Sequence, residues 1–147
     1  MKYMLDTNIC IYLIKHQPPS VARRFAECRQ GDVVISAITL AELEYGVRAS
    51  REDTRQQNRQ ALDALVELIP PVAFDRSAAA VYAAGRAAAP DRRRDALDRL
   101  IASHAKSLNL TLVTNNLEDF RVYPDMALEN WVETGSGLPP GVRGQPR

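Results

Sequence analysis

Cysteine is nearly missing from this sequence. Cys10 and Cys28 are the two in 147 residues, and without CxxC spacing they support neither a disulfide framework nor a zinc site. Both are expected to be reduced thiols within helices. Excess charge of either sign is missing too, since 19 Lys and Arg against 18 Asp and Glu leave a formal net charge of +1. A nearly neutral chain exerts no global pull on a phosphate backbone, so any nucleic-acid binding must rest on local patches. Two basic concentrations exist, Arg92, Arg93, Arg94 with Arg99, and Arg23, Arg24, Arg29 along a predicted helix; by charge alone they read as solvated faces. No apolar run approaches the roughly 20 residues that span a bilayer. The opening MKYMLDTN lacks a basic n-region, a long apolar stretch and a small-residue cleavage site, which leads us to expect a soluble cytoplasmic protein. No internal repeat is visible.

What remains has the texture of one ordinary domain, with 46% hydrophobic and 25% charged residues. Tyr3, Met4 and Leu5 form a short apolar run that stops at Asp6-Thr7-Asn8, after which Ile9, Tyr12, Leu13 and Ile14 recur at helical spacing. Pro18 and Pro19 close that helix and open another through Val21, Phe25 and Cys28, until Gly31-Asp32 breaks it. Val33 to Ile35 is a second strand, followed by a helix with Leu40, Leu43 and Val47. A long polar helix from about Glu52 to Leu68, a short extended piece from Ile69 to Val72 and a helix through Ala78, Val81 and Ala84 follow. After Pro90 a helix with Leu97, Leu100, Ile101 and Leu108 leads to a third clear strand, Thr111 to Val113. Strands alternating with helices predict an α/β fold, a central and mainly parallel sheet flanked by helices. From Gly135 onward, glycine and proline crowd a stretch too poor in apolar residues for a core. Residues 1–133 are therefore read as the domain and 134–147 as a flexible tail.

In an open parallel sheet, ligands bind beyond the carboxyl ends of the strands, where loops from several strands converge. Asp6 follows the first strand, and Thr114-Asn115-Asn116 follows the third clear one, with Asp119 in the continuation of that loop. Taken singly, Asp6 or Thr7 would serve as a helix N-cap. Glu42 sits near the amino end of the helix after the second strand, so it can face the same edge, while Glu44 points away. Asp98 heads a helix face continued by Ile101, Ala102 and Ala105, three, four and seven residues later; alternatively it is a capping or salt-bridged acid. Asp91 and Asp95 read as solvated neighbours.

These segments carry a resemblance. Met4 to Ile11 (MLDTNICI), Thr39 to Gly46 (TLAELEYG), Asp98 to Ala105 (DRLIASHA) and Leu112 to Phe120 (LVTNNLEDF) are similar, in order, to the motifs of PIN-domain toxins of the VapC type, and the likeness runs to Glu129-Asn130-Trp131. It implies a PIN-like fold and an Mg²⁺-dependent endoribonuclease, with Mn²⁺ able to substitute. It further implies inhibition by a cognate antitoxin and a homodimeric toxin within a larger toxin–antitoxin complex. Carried over residue by residue, it makes Asp6, Glu42, Asp98 and Asp119 catalytic metal-binding acids and Asn8, Thr114 and Asn116 supporting polar groups. Arg99 departs from the pattern, since an uncharged residue often follows that acid, and Arg92 to Asp95 replaces a stretch that often contains glycine.

The chemistry of the residues agrees. Converging carboxylates repel unless a cation joins them, and hard oxygen donors suit Mg²⁺ or Mn²⁺. A metal-free ribonuclease would need a positioned acid–base pair, yet His16 and His104 fall in no motif that positions one; His104 reads as structural, and His16 as a helix-terminal residue. The alternative is an Mg²⁺-binding regulatory or protein-interaction module without nuclease activity, such as a phospho-receiver. That needs a phosphorylatable Asp after a central strand and a Lys after a later one, which neither Ile69 to Asp75 nor Thr114 to Asn116 supplies convincingly.

Overall fold

The computed structural model of the chain describes residues 1–90, 96–121, 123 and 125–133. Five strands, β1 (Tyr3–Leu5), β2 (Val33–Ser36), β3 (Pro71–Val72), β4 (Thr111–Val113) and β5 (Leu128–Glu129), form one sheet in the order β3-β2-β1-β4-β5. Every pairing is parallel. Seven helices surround it among the described residues: α1 (Thr7–Lys15), α2 (Pro19–Ala26), α3 (Ala37–Arg48), α4 (Glu52–Leu68), α5 (Arg76–Ala88), α6 (Ala96–Ser107) and the single turn α7 (Leu117–Phe120).

The three central strands are mainly apolar because both faces of the sheet are covered. Successive residues point to opposite sides, and the core divides accordingly. Leu5, Val33, Ile35 and Val113 pack with Ile9, Leu43, Leu62 and Trp131 on one face. Met4, Val34 and Leu112 pack with Ile101, Ala102, Ala105 and Phe120 on the other. Trp131 is 1% exposed, so the folded unit extends past β5. The predicted tail, 134–147, lies outside the described residues.

Four expectations are corrected. Cys28 stands beyond the end of α2, not inside it, half-buried, whereas Cys10 is buried within α1. Arg29 also lies past α2, and the remaining basic residues there are engaged: Arg24 meets Glu129 at 2.9 Å and lies 5.4 Å from the Trp131 ring, while Arg23 reaches Glu133. This surface pairs with the C-terminal segment while Arg23 and Arg29 stay exposed, the solvated face expected of it. Arg99 is not on a solvated face, being 3% exposed; Arg92, Arg93 and Arg94 lie outside the described residues. Leu108 follows α6 and packs against the second cluster.

Candidate metal site at the carboxyl edge of the sheet

Strand register places the site. Leu5 pairs with both Ile35 and Val113, so the next residues, Asp6, Ser36 and Thr114, come level at the carboxyl edge. Asp6 donates its backbone N–H to the Val113 carbonyl at 3.0 Å, fixing this junction to β4. Its carboxylate caps α1 by accepting from the Ile9 amide at 2.9 Å. The cap uses Oδ1, one of the two oxygens of this carboxylate.

Asp6 is 6% exposed. Burial pushes its carboxyl pKa up, hydrogen bonds from the Thr114 hydroxyl and the Ile9 and Asn8 amides pull it back, and the negative charge of Glu42 raises it further. The Asn8 side chain itself is exposed; its backbone amide is what supports Asp6. Thr114 is fully buried and also accepts the Asn116 amide at 3.0 Å.

Glu42 projects from the second turn of α3, one residue before the buried Leu43. Thr7 donates its hydroxyl to Glu42 Oε1 at 2.6 Å, tying the start of α1 to α3. Glu44 faces elsewhere, held by two 2.8 Å bonds from Arg59, which keep its carboxyl below the usual range. Asp119 is on the first turn of α7, not in an open loop, and accepts from the Asn116 side chain. Asp98 is half-buried on the first turn of α6. The Leu110 amide bonds the Ala105 carbonyl where α6 turns into β4, so the opposite end of α6, with Asp98, is directed toward the carboxyl edge. Among the described residues, no three acidic, histidine or cysteine side chains are close enough together to hold an ion. The acids share an edge, with Asp6 and Glu42 in electrostatic contact, but they do not form a closed cage. Asp91 and Asp95 lie outside the described residues.

Residues that sequence reasoning did not assign also shape this edge. Thr7 was legible only as a cap; its bond to Glu42 spans 35 residues. Asn115 donates to the Tyr12 hydroxyl at 2.9 Å, pinning the β4–α7 turn to α1. Ser36 caps α3 by accepting from the Ile38 amide at 3.0 Å and meets His104 Nδ1 at 2.8 Å. Burial holds His104 below its ordinary pKa, with Asp75 and the Ala73 carbonyl opposing that shift. In the folded protein this imidazole binds a proton less readily than in the unfolded chain. Stability is therefore expected to fall as pH drops from about 6.5 toward the lowered folded value. Denaturation midpoints across that range test this, and His104→Gln should flatten the slope.

The pattern of a family profile settles what kind of molecule this is: the PIN domain profile matches residues 3–125. The chain belongs to the PIN-domain family. Within it, the VapC ribonucleases are near relatives. Ribonuclease VapC2 of Rickettsia felis is 38% identical over 136 residues, covering 89% of this chain and 98% of the relative. A Shigella flexneri protein named tRNA(fMet)-specific endonuclease VapC is 38% identical over 133 residues, covering 89% and 98%. Among solved structures, a chain of DNA-bound VapBC from Salmonella typhimurium superposes with a TM-score of 0.80 at 34% identity, covering 90% of this chain and 99% of that chain. A chain of VapBC2 from Rickettsia felis, bound to a promoter DNA fragment, gives 0.78 at 36%, with 90% and 100% covered. The PIN fold expected from the motifs is the fold observed.

Proposed function

We propose that this PIN domain is a divalent-metal-dependent endoribonuclease, the toxin of a toxin–antitoxin pair. The observation that carries the reading is Asp6, a 6%-exposed carboxylate beside Glu42 whose hydrogen-bond partners, Thr114, Ile9 and Asn8, are all neutral. A buried anion is stabilised by a paired charge or a metal, and these hard oxygen donors fit Mg²⁺ or Mn²⁺. Asp6, Glu42, Asp98 and Asp119 are the groups assigned to hold it. When bound, such an ion acidifies a water and stabilises charge on the phosphodiester oxygens. The chain's own work is positioning: Thr114 holds Asp6, Thr7 orients Glu42 and Asn116 orients Asp119.

Relatives occur in structures of VapBC assemblies, which supports a cognate antitoxin for this chain. Its docking groove is assigned to a hollow of about 290 Å³ between α1, α3 and α4, lined by Ile11, Ile14, Val47 and Leu62 and reaching Thr7 and Glu42. An apolar segment laid there would end beside the acids. The toxin is further assigned as a homodimer, with residues 1–133 as the PIN domain. No described helix is long and apolar enough to cross a membrane.

The test is cleavage of RNA by the purified chain, starting with transfer RNA because two relatives are tRNA(fMet)-specific endonucleases by name. Cutting is expected with Mg²⁺ or Mn²⁺ and not with EDTA, leaving 5′-phosphate and 3′-hydroxyl ends. Undiminished cleavage in EDTA, or 2′,3′-cyclic phosphate ends from attack by the RNA's own 2′-hydroxyl, would contradict the proposal.

A further inference from the structure

A second pocket, on the sheet face opposite the groove assigned to the antitoxin, holds a buried guanidinium with two unbonded nitrogens. Its volume is about 440 Å³, and it lies between α5 and α6. One wall is Val81, Ala84, Gly85 and Ala88 of α5, and the floor carries Arg99 and Lys106 of α6. Among the described residues, none that lines it is acidic. Arg99 is 3% exposed, and its Nε and Nη2 are both buried without a hydrogen-bond partner. Its guanidinium carbon stands 6.0 Å from the Tyr123 ring centre, a contact with the π face that leaves the N–H edge unused.

Nε and Nη2 share one edge of the guanidinium, so the vacant donors form a side-on fork that takes two oxygens at once. A buried guanidinium left unpaired is unfavourable, whereas a partner that brings both charge and two acceptors satisfies it. The walls then choose among anions. They are small and aliphatic, suited to apolar side chains and not to the hydrated ribose-phosphate chain of RNA. The neighbouring surface of α5 continues as exposed alanines at 79, 80, 83 and 87, a face on which another backbone can lie close.

We infer that the α5–α6 pocket receives an acidic side chain from a partner polypeptide, set among small apolar residues, and that its carboxylate closes the Arg99 fork. This site is separate from the metal-site acids and does not rest on the nuclease reading. Arg99 nevertheless adjoins Asp98 in sequence, which places the pocket one helix face away from the proposed active edge.

The test uses the full chain and two probes: hexanoate, and a capped alanine-rich helical peptide with one central glutamate. Titration followed by NMR should show saturable binding with a shift of the Arg99 Nε–H resonance. Hexanol, and the peptide with glutamine in place of glutamate, should bind at least roughly tenfold more weakly, the loss expected of one charge-assisted pair. Arg99→Gln should abolish the difference between acid and neutral probes. Ala88→Leu narrows the pocket from an exposed helix position and leaves Arg99 in place; it should weaken both acidic probes if Arg99→Gln does not fold. Equal binding of acid and neutral probes, or acid binding unchanged in the variant that folds, would overturn the site. A shift of the Arg99 resonance by a short oligoribonucleotide but by neither acidic probe would overturn the polypeptide assignment.

Discussion

Asp6→Asn is expected to lose RNA cleavage by at least about a hundredfold, since even residues that merely orient a metal's ligands cost 10–100-fold when removed. The same substitution is expected to leave the metal-free protein as stable as before, or more so. Both expectations follow from one geometry. Asn replaces Asp at an N-cap with little loss, so the bond from the Ile9 amide is kept. The lost negative charge is one that burial and Glu42 make unfavourable in the folded state. The sign is fixed by linkage: a carboxyl whose folded pKa is raised binds more proton folded than unfolded. It therefore subtracts stability as pH rises from its ordinary value of 3.8 through the raised folded value. At neutral pH the substitution removes that penalty, and below about 3.8 the difference should vanish. Thermal melts of both proteins with and without Mn²⁺ check the account. Added Mn²⁺ should raise the melting temperature of the natural protein much more than that of the variant.

Asp98→Asn should produce a loss of cleavage of similar size for a different local reason. Ile101, Ala102 and Ala105 continue the Asp98 face of α6 and are 1%, 3% and 0% exposed, so apolar burial is the main anchor of the helix. Removing the charge is expected to leave the fold within about 1 kcal/mol of its original stability, the range of a substitution away from the core. A merely structural Asp98 predicts the opposite pairing, with lower stability and kept activity. Glu118→Gln is the matched control. That acid is exposed and ion-paired to Arg121, and its loss should change neither cleavage nor stability appreciably. Equal effects from the two substitutions would remove Asp98 from the site.

Much of this was legible in the sequence, and the parts that were not have identifiable causes. β1, β2 and β4 stand out as apolar runs because strands covered on both faces carry no polar alternation, and α4 ends where Pro70 and Pro71 stop it. β5 and α7 went unread because a two-residue strand and a single helical turn show no periodicity. Asp6 was placed by its position after a strand. Glu42, Asp98 and Asp119 depended on the family resemblance, because helix position alone cannot distinguish a site acid from a solvated one. The bond from Thr7 to Glu42 and the pinning of Asn115 by Tyr12 join residues 35 and 103 positions apart, which only tertiary structure brings together. Arg99 misled most, because an arginine within a basic run reads as a surface group. Its burial is created by Tyr123, distant in sequence, and by the α5 wall.

The central claim is that the acids at α1's cap, on α3, on α6 and on α7 bind divalent metal at one edge of the sheet. Titration of the folded chain with Mn²⁺, read as paramagnetic broadening of amide resonances, tests it most directly. The account predicts that the signals of Asp6, Glu42, Asp98 and Asp119 broaden together at the lowest Mn²⁺ concentrations, and that Asp6→Asn abolishes this. Broadening centred elsewhere, or broadening around Asp6 and Glu42 that leaves Asp98 and Asp119 untouched, would contradict it.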